Sequence, residues 1–345
     1  RESLREVNMK KGVNLKTRTF ILLAFLVMMF CIPLFVTNTY ILKVLNNVML
    51  YAVIVLSVNL ILGFCGLLDF GRSAFVGIGT YSFALLMTRA ANIPWAVGFL
   101  AAGLFTALLG WLVGSFLRRT SFDYLTLLTI GIVEIIRLFF VNCTRITNGA
   151  MGITGIPKPS LFSFQITSHA QFFYFALILL IVCYVLIDRL TKSYKGRALM
   201  AIRDDEIAAA FSAINIPKYK AFCFGVASFF TGLGGAAMVS YTGYASPYNF
   251  TIDEGLILCQ MAILGGLGSL PGSILGAAIL VIVPELSRTA YNYRLLIMGI
   301  MMVVLMLFCP DGLLGNNGLK DIIVRKVKEI AGRREASEKE RGAGK

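Results

Sequence analysis

The chain has 345 residues, 57% of them hydrophobic and 14% charged, with a mean hydropathy of +0.79. Soluble domains carry roughly 25% charged residues, so the balance points away from a soluble globular protein and to a polytopic membrane protein of about eight to ten helices. The formal net charge of +14 would suit nucleic acid in a soluble chain, but the basic residues sit in blocks between or beyond apolar runs, with no basic and aromatic module outside them, so nucleic acid is not an expected partner.

Residues 1–19 are polar and basic, and an apolar run begins at 20. The VTNTYILK stretch that ends this run offers no small-residue cleavage site, so it reads as an uncleaved first span rather than a signal peptide. About 20 mostly apolar residues cross roughly 30 Å of hydrocarbon. That criterion places spans near 20–38, 44–62, 75–89, 95–117, 122–141, 171–188, 221–243, 255–270, 272–288 and 293–309. The third and eighth are short and glycine-rich. They are candidates for re-entrant or broken helices, which a membrane tolerates only where protein covers the backbone.

Basic residues set the sides. They gather at the N-terminus, at Arg118 and Arg119, along 189–220, and in a tail from 310 to 345. Ten crossings put all of these, with both termini, on the cytoplasmic side of a bacterial inner membrane. The loops at 142–170 and 245–254, both poor in Lys and Arg, then lie outside. One transmembrane domain, 20–309, is expected, with 189–220 as its large cytoplasmic loop. Four spans from 44 to 141 and four from 221 to 309 stand on either side of that loop and enter from opposite sides, which is the pattern of an inverted repeat.

Within the loop, Asp204 or Asp205 is a good helix N-cap. Ile207, Ala210, Phe211 and Ile214 then fall on one apolar stripe, and Pro217 is expected to end the helix. Upstream, GRALMAI adds another turn or two. Arg203 would interrupt the apolar arc of one continuous helix, so two short helices with a break near Arg203–Asp204 fit better. Such a helix lies on lipid, packs on its own spans, or docks into a partner. Asp205 and Glu206 make its polar side acidic, which anionic lipid repels, and a partner groove is the preferred reading over self-packing.

Chemistry is sparse elsewhere. No G-x-x-x-x-G-K-[ST] loop is present, and the terminal GAGK lacks the flanking strand and hydroxyl residue. ATP hydrolysis therefore belongs to another subunit, and the chain is not read as an enzyme. The seven cysteines are scattered without a C-x-x-C pair, and the lone His169 reads as a loop residue, so neither a metal nor a cofactor is expected. Glu134 and Arg137 are three residues apart in IGIVEIIRLFF and share a helix face. They read as a structural ion pair, or alternatively as the titrating site of an ion-coupled carrier. Asp69 and Arg72 have the same spacing, near the cytoplasmic end of a span.

Six stretches in order carry a family resemblance: VNLILGFCGLLDFGRSAFVGIGTYSFALL at 58–86, TLLTIGIVEIIRL at 126–138, TNGAMGITGIP at 147–157, GRALMAIRDDEIAAAFSAINIPKYKAFCF at 196–224, ILGGLGSLPGSILGAAIL at 263–280 and FCPDGLLG at 308–315. Together they resemble the permease subunits of branched-chain amino acid ABC importers, of the LivM type. The resemblance implies an all-α fold of about ten transmembrane helices, like that of the cobalamin importers. It implies that Glu206, Ile207, Ala208, Ala209 and Phe211, led in by Arg203, Asp204 and Asp205, meet an ATPase subunit. It implies a related permease as partner, two ATP-binding cassette subunits, a solute-binding protein and leucine, isoleucine or valine as cargo. A permease for urea or short amides is the nearest alternative.

Two departures from the family stand out: Ala213 where Gly is usual, and Arg72 where His or Tyr is common. The translocation pathway is expected near Gly63, Gly66, Gly71, Gly77, Gly79, Glu134, Arg137, Gly265, Gly266 and Gly268. Gly149, Gly152 and Gly155 are expected to form a tight external turn that receives the binding protein.

Overall fold

The computed structural model describes residues 38–89, 93–117, 122–161, 164–166 and 168–286, with positions 33, 296, 299–300, 302–303, 307 and 312–314 beyond them. The spans expected at 20–38 and 293–309 lie almost wholly outside the described residues.

Eleven α-helices are described. They are α1 (Thr39–Asn59), α2 (Arg72–Arg89), α3 (Trp95–Leu117), α4 (Phe122–Asn142), α5 (Thr144–Thr147), α6 (His169–Lys192), α7 (Tyr194–Asp204), α8 (Glu206–Phe211), α9 (Ile216–Thr242), α10 (Ile252–Gly265) and α11 (Leu270–Leu286). Among the described residues, five helical segments are long and apolar enough to cross a membrane: Thr39–Cys65, Trp95–Phe116, Tyr124–Asn142, His169–Lys192 and Ile216–Thr242. With α2, α10 and α11, every expected span between 44 and 288 corresponds to a helix. The chain is a multi-pass membrane protein.

From Val48 on, α1 is mostly apolar and almost wholly buried, as a central helix must be. It packs against α6, α9, α10 and α11, and α9 in turn packs against α2 and α3. Helices α3, α4 and α6 each leave one apolar face bare. The α3–α9 contact is close because both helices carry small residues. A Cβ at Gly110 would overlap Ser228 of α9, and one at Gly232 would meet Thr106 of α3. Without a hydrophobic driving force between helices in lipid, such close approach supplies the dispersion energy.

The starts of the helices follow their sequences. Asn38 caps α1, and Ser168 with Gln171 forms a capping box on α6. His169 is therefore the first residue of a helix and not a loop residue; its ring Nδ1 lies 3.1 Å from the Tyr241 hydroxyl. Pro217 also departs from expectation. It occupies the first turn of α9, where a missing N–H costs nothing. Helix α8 has already ended at Phe211, and Ala213 turns the chain with φ of 58°. Ile214 consequently lies outside that helix.

The chain is not purely helical. Ile153–Thr154 pairs antiparallel with Tyr244–Ala245, and Ser160–Leu161 with Phe164–Gln165. The first pair ties the loop after α5 to the turn after α9. Gly149, Gly152 and Gly155, at φ of 60°, 70° and 75°, make the bends that allow it.

Candidate coupling segment and translocation pathway

Helix α8 stands at one end of the bundle with its polar groups engaged. Asp205 caps it, its Oδ1 accepting from the Ile207 and Ala208 amides at 2.8 and 3.0 Å. Glu206 turns back to the Lys220 ammonium at 2.7 and 2.9 Å. Ala209 is buried against the chain's own body, so of the residues assigned to the coupling surface it faces inward. Ile207 and Phe211 are left 72% and 89% exposed, with Ala208 between them. Large apolar side chains so exposed beyond the membrane-crossing segments mark a candidate contact surface.

Arg203 and Asp204 close α7 just before that cap. Asp204 is exposed and pairs with Arg203 at 2.9 Å. The other arm of Arg203 points into the bundle, where Nη1 donates to the Gly63 carbonyl at 2.8 Å.

Gly63 lies in an interruption. After α1 the chain continues as a π-helical segment, Leu60–Cys65, and leaves the helix at Gly66 with φ of 76°. Opposite it, α10 ends at Gly265, and Gly266 and Gly268 turn the chain with φ of 117° and 77° before α11 begins. The two breaks interlock through Asn59, which is fully buried. Its Nδ2 donates to the Ser269 carbonyl at 3.0 Å and to Ser273 Oγ at 2.6 Å, and its Oδ1 accepts from the Gly268 amide at 2.9 Å. The amides of Leu313 and Leu314 add two more bonds, to the carbonyls of Leu264 and Gly265, both 3.0 Å. Gly265 faces Gly272 so closely that a Cβ on either would strike the other backbone.

A cavity opens towards each end of this junction. One, of ≈ 370 Å³, is lined by Tyr51, Ile54, Val76, Thr80, Glu254 and Leu258 among others. Its Tyr51 hydroxyl bonds to the Glu254 carboxylate at 2.6 Å. The other, of ≈ 520 Å³, is lined by Phe64, Asp188, Arg197, Arg203, Gly268 and Leu270 among others. Helix α1 with its π-helical extension runs from the first cavity to the second, and α10 leads the same way. Asn59 lies between them.

Among the described residues, two ion pairs sit in the bundle. Arg72 and Asp69 meet at 2.6 Å and are 0% and 2% exposed. The Asp69 carboxylate also takes the Gly71 amide at 2.8 Å, and Arg72 Nη1 reaches the hydroxyls of Ser228 and Thr231, each at 3.4 Å. This pair is core, enclosed by the rings of Phe75 and Phe224. Arg137 and Glu134 meet at 2.7 Å on α4, partly exposed at the border of its bare apolar face. Gly71 packs against Thr129, Gly77 between Phe140 and Phe250, and Gly79 against the Gly232 backbone. These three approach neighbouring elements closely, whereas Gly63, Gly66, Gly266 and Gly268 belong to the junction.

Sequence reasoning missed Asn59, Ser269, Ser273 and Lys220. A single amide in the apolar run VLSVNLILGF was the available signal, since a polar side chain in that setting needs buried partners. Among the described residues, no cluster of His, Cys, Asp or Glu is placed to hold a metal.

A bundle of apolar helices, two of them broken and interlocked between opposed cavities, with a short exposed helix outside it, is the architecture of a membrane permease. The chain belongs to the family of permease components of branched-chain amino acid transport systems, which matches residues 40–306. It is 33% identical to the high-affinity branched-chain amino acid transport system permease protein LivM of Escherichia coli (strain K12), over 88% of this chain and 76% of that one. It is 27% identical to LivH of the same organism, over 77% and 91%. A probable LivM of Methanocaldococcus jannaschii is 24% identical over 82% and 96%. No solved structure matches.

Proposed function

We propose that the chain is the LivM-type subunit of an ATP-driven importer, carrying leucine, isoleucine or valine delivered by a solute-binding protein. The observation that carries this reading is the exposed Ile207–Phe211 surface of α8, whose polar neighbours are satisfied within the chain. A helix of that kind is a handle for a partner groove. The partner is an ATP-binding cassette subunit, one of two in the complex, and the α8 end is cytoplasmic. Similarity to both LivM and LivH relatives supports a heterodimer with a related permease. In this reading the chain is seated in lipid with about ten crossings and a cobalamin-importer-like inverted repeat.

The ≈ 370 Å³ cavity lies at the opposite end and serves as the external mouth. Its size is that of a small-molecule site, roughly 300–1,000 Å³, and its lining joins Ile54, Val76 and Leu258 to the hydroxyls and carboxylate of Thr80, Tyr51 and Glu254. That mixture suits an aliphatic side chain on a charged amino acid head. Gly149, Gly152 and Gly155 shape the rim that meets the binding protein.

The test is Ile207→Ser with Phe211→Ala, made in the complete transporter. Loss of co-purifying cassette subunit together with loss of leucine uptake is expected. Full retention of the cassette subunit, or uptake driven by an ion gradient without it, refutes the proposal.

A further inference from the structure

Arg203 precedes the exposed handle in sequence, yet one of its three hydrogen bonds is made inside the bundle. Nε and Nη2 hold Asp204 Oδ1 at 3.1 and 2.9 Å, at the foot of α8. Nη1 holds the Gly63 carbonyl at 2.8 Å. That carbonyl lies within the π-helical segment, where the chain leaves the helix at Gly66 and helical carbonyls lose their backbone donors. The stem of Arg203 packs where a side chain at Gly66 would stand: an added Cβ would come within 2.6 Å of Cγ. A Cβ on Gly268 would lie 3.4 Å from Nη1. One side chain therefore touches the last residue of α7, immediately before the α8 cap, and lies against both broken segments of the junction that Asn59 closes.

We infer that Arg203 is a positioning residue for transport: it carries displacement of α8 to the Gly63–Gly268 junction and so sets the opening between the two cavities. The inference rests on the importer reading above. Its physical basis is the rigidity and directionality of a guanidinium. The planar fork bonds a carboxylate with two N–H groups and a carbonyl with a third, so movement of Asp204 is passed on without a change of rotamer. The Gly63 carbonyl has moved out of regular α-helical geometry and follows its donor at small cost. A docking residue would instead turn its charge outward to the partner.

The experiment uses the complete transporter in proteoliposomes with its binding protein, and reads three quantities: cassette subunit retained, ATP hydrolysed and leucine taken up. Arg203→Gln keeps length and polarity but reaches one partner at a time. It is expected to retain the cassette subunit and its ATP hydrolysis within twofold of wild type, while uptake per ATP falls at least tenfold. Arg203→Lys, with a point charge in place of the fork, is expected to fall in between.

Wild-type uptake per ATP in Arg203→Gln overturns the inference. Loss of the cassette subunit in both Arg203 variants overturns it too, because Arg203 would then be a docking or structural residue. Either result leaves the Ile207–Phe211 test unaffected, so failure of this inference is distinct from failure of the importer reading.

Discussion

Replacing Arg72 by Met removes the counter-charge from Asp69 while leaving the bond from the Gly71 amide. The carboxylate is 2% exposed, so water cannot stand in for the lost guanidinium. Breaking a buried pair from one side costs about 3–5 kcal/mol, because an uncompensated charge stays in low dielectric. Asp69→Leu is expected to cost as much from the other side. It strands a guanidinium whose Nη2 finds no hydrogen-bond partner among the described residues and whose bonds to Ser228 and Thr231 are long, at 3.4 Å. Removing both charges in Asp69→Leu/Arg72→Met leaves apolar groups of similar volume against Phe75 and Phe224. Such replacements are about neutral or stabilising, against which the Gly71 amide that loses its acceptor costs about 1–3 kcal/mol, so the double variant is expected to cost less than either single one. The four proteins form a double-mutant cycle whose coupling energy is several kcal/mol and opposite in sign to additivity. Reversible unfolding of the purified protein in mixed micelles measures it. Single variants that each cost less than about 1 kcal/mol, or a double variant equal to their sum, refute the argument that the pair is a closed core element.

Three further outcomes are expected from the same unfolding assay. Gly79→Ala drives a Cβ into the Gly232 backbone and should cost about 1–3 kcal/mol, whereas at Gly131, where an added Cβ would meet no other part of the described residues within 4 Å, the same change should gain up to about 1 kcal/mol of helix propensity. Ala213 turns the chain with φ of 58°; Ala213→Gly relieves a strain of roughly 1–2 kcal/mol, less the entropy that glycine adds to the unfolded chain, for a net gain below about 1 kcal/mol. Glu206→Gln strands the buried Lys220 ammonium and should cost about 1–3 kcal/mol, while Lys220→Met frees a half-exposed Glu206 that water can solvate and should cost less.

Much of this was legible in the chain because hydrocarbon leaves few choices. The need to satisfy every backbone group within a helix turned apolar runs into spans at 95–117 and 122–141, and the structure places helices within one residue of both. The break before α8 was legible from the clash of Arg203 with an apolar arc, and Asp205 was one of the two caps expected. The end of α8 was not. Proline at 217 is compatible with stopping one helix or starting the next, and the choice was made by Ala213 adopting a left-handed conformation that no local rule demands of alanine. His169 was misread for a similar reason, since the serine that caps α6 stands next to it in an otherwise polar loop.

The junction was the least legible part, and the reason is geometric. Gly63 and Gly268 are 205 positions apart, yet a Cβ on Gly63 would overlap the Gly268 backbone amide. Glycine in either stretch alone states only that something comes near. What comes near is set by Asn59, whose amide can satisfy a buried loop in hydrocarbon because it donates and accepts at once. An apolar side chain there would take the acceptor from the Gly268 amide, and a backbone group so stranded is costly in a membrane. The same requirement explains Arg203: the Gly63 carbonyl, left over where the helix breaks, takes its donor from the segment that leads into α8. Satisfying the backbone at a break and linking the exposed helix to the two cavities are thus one arrangement of atoms.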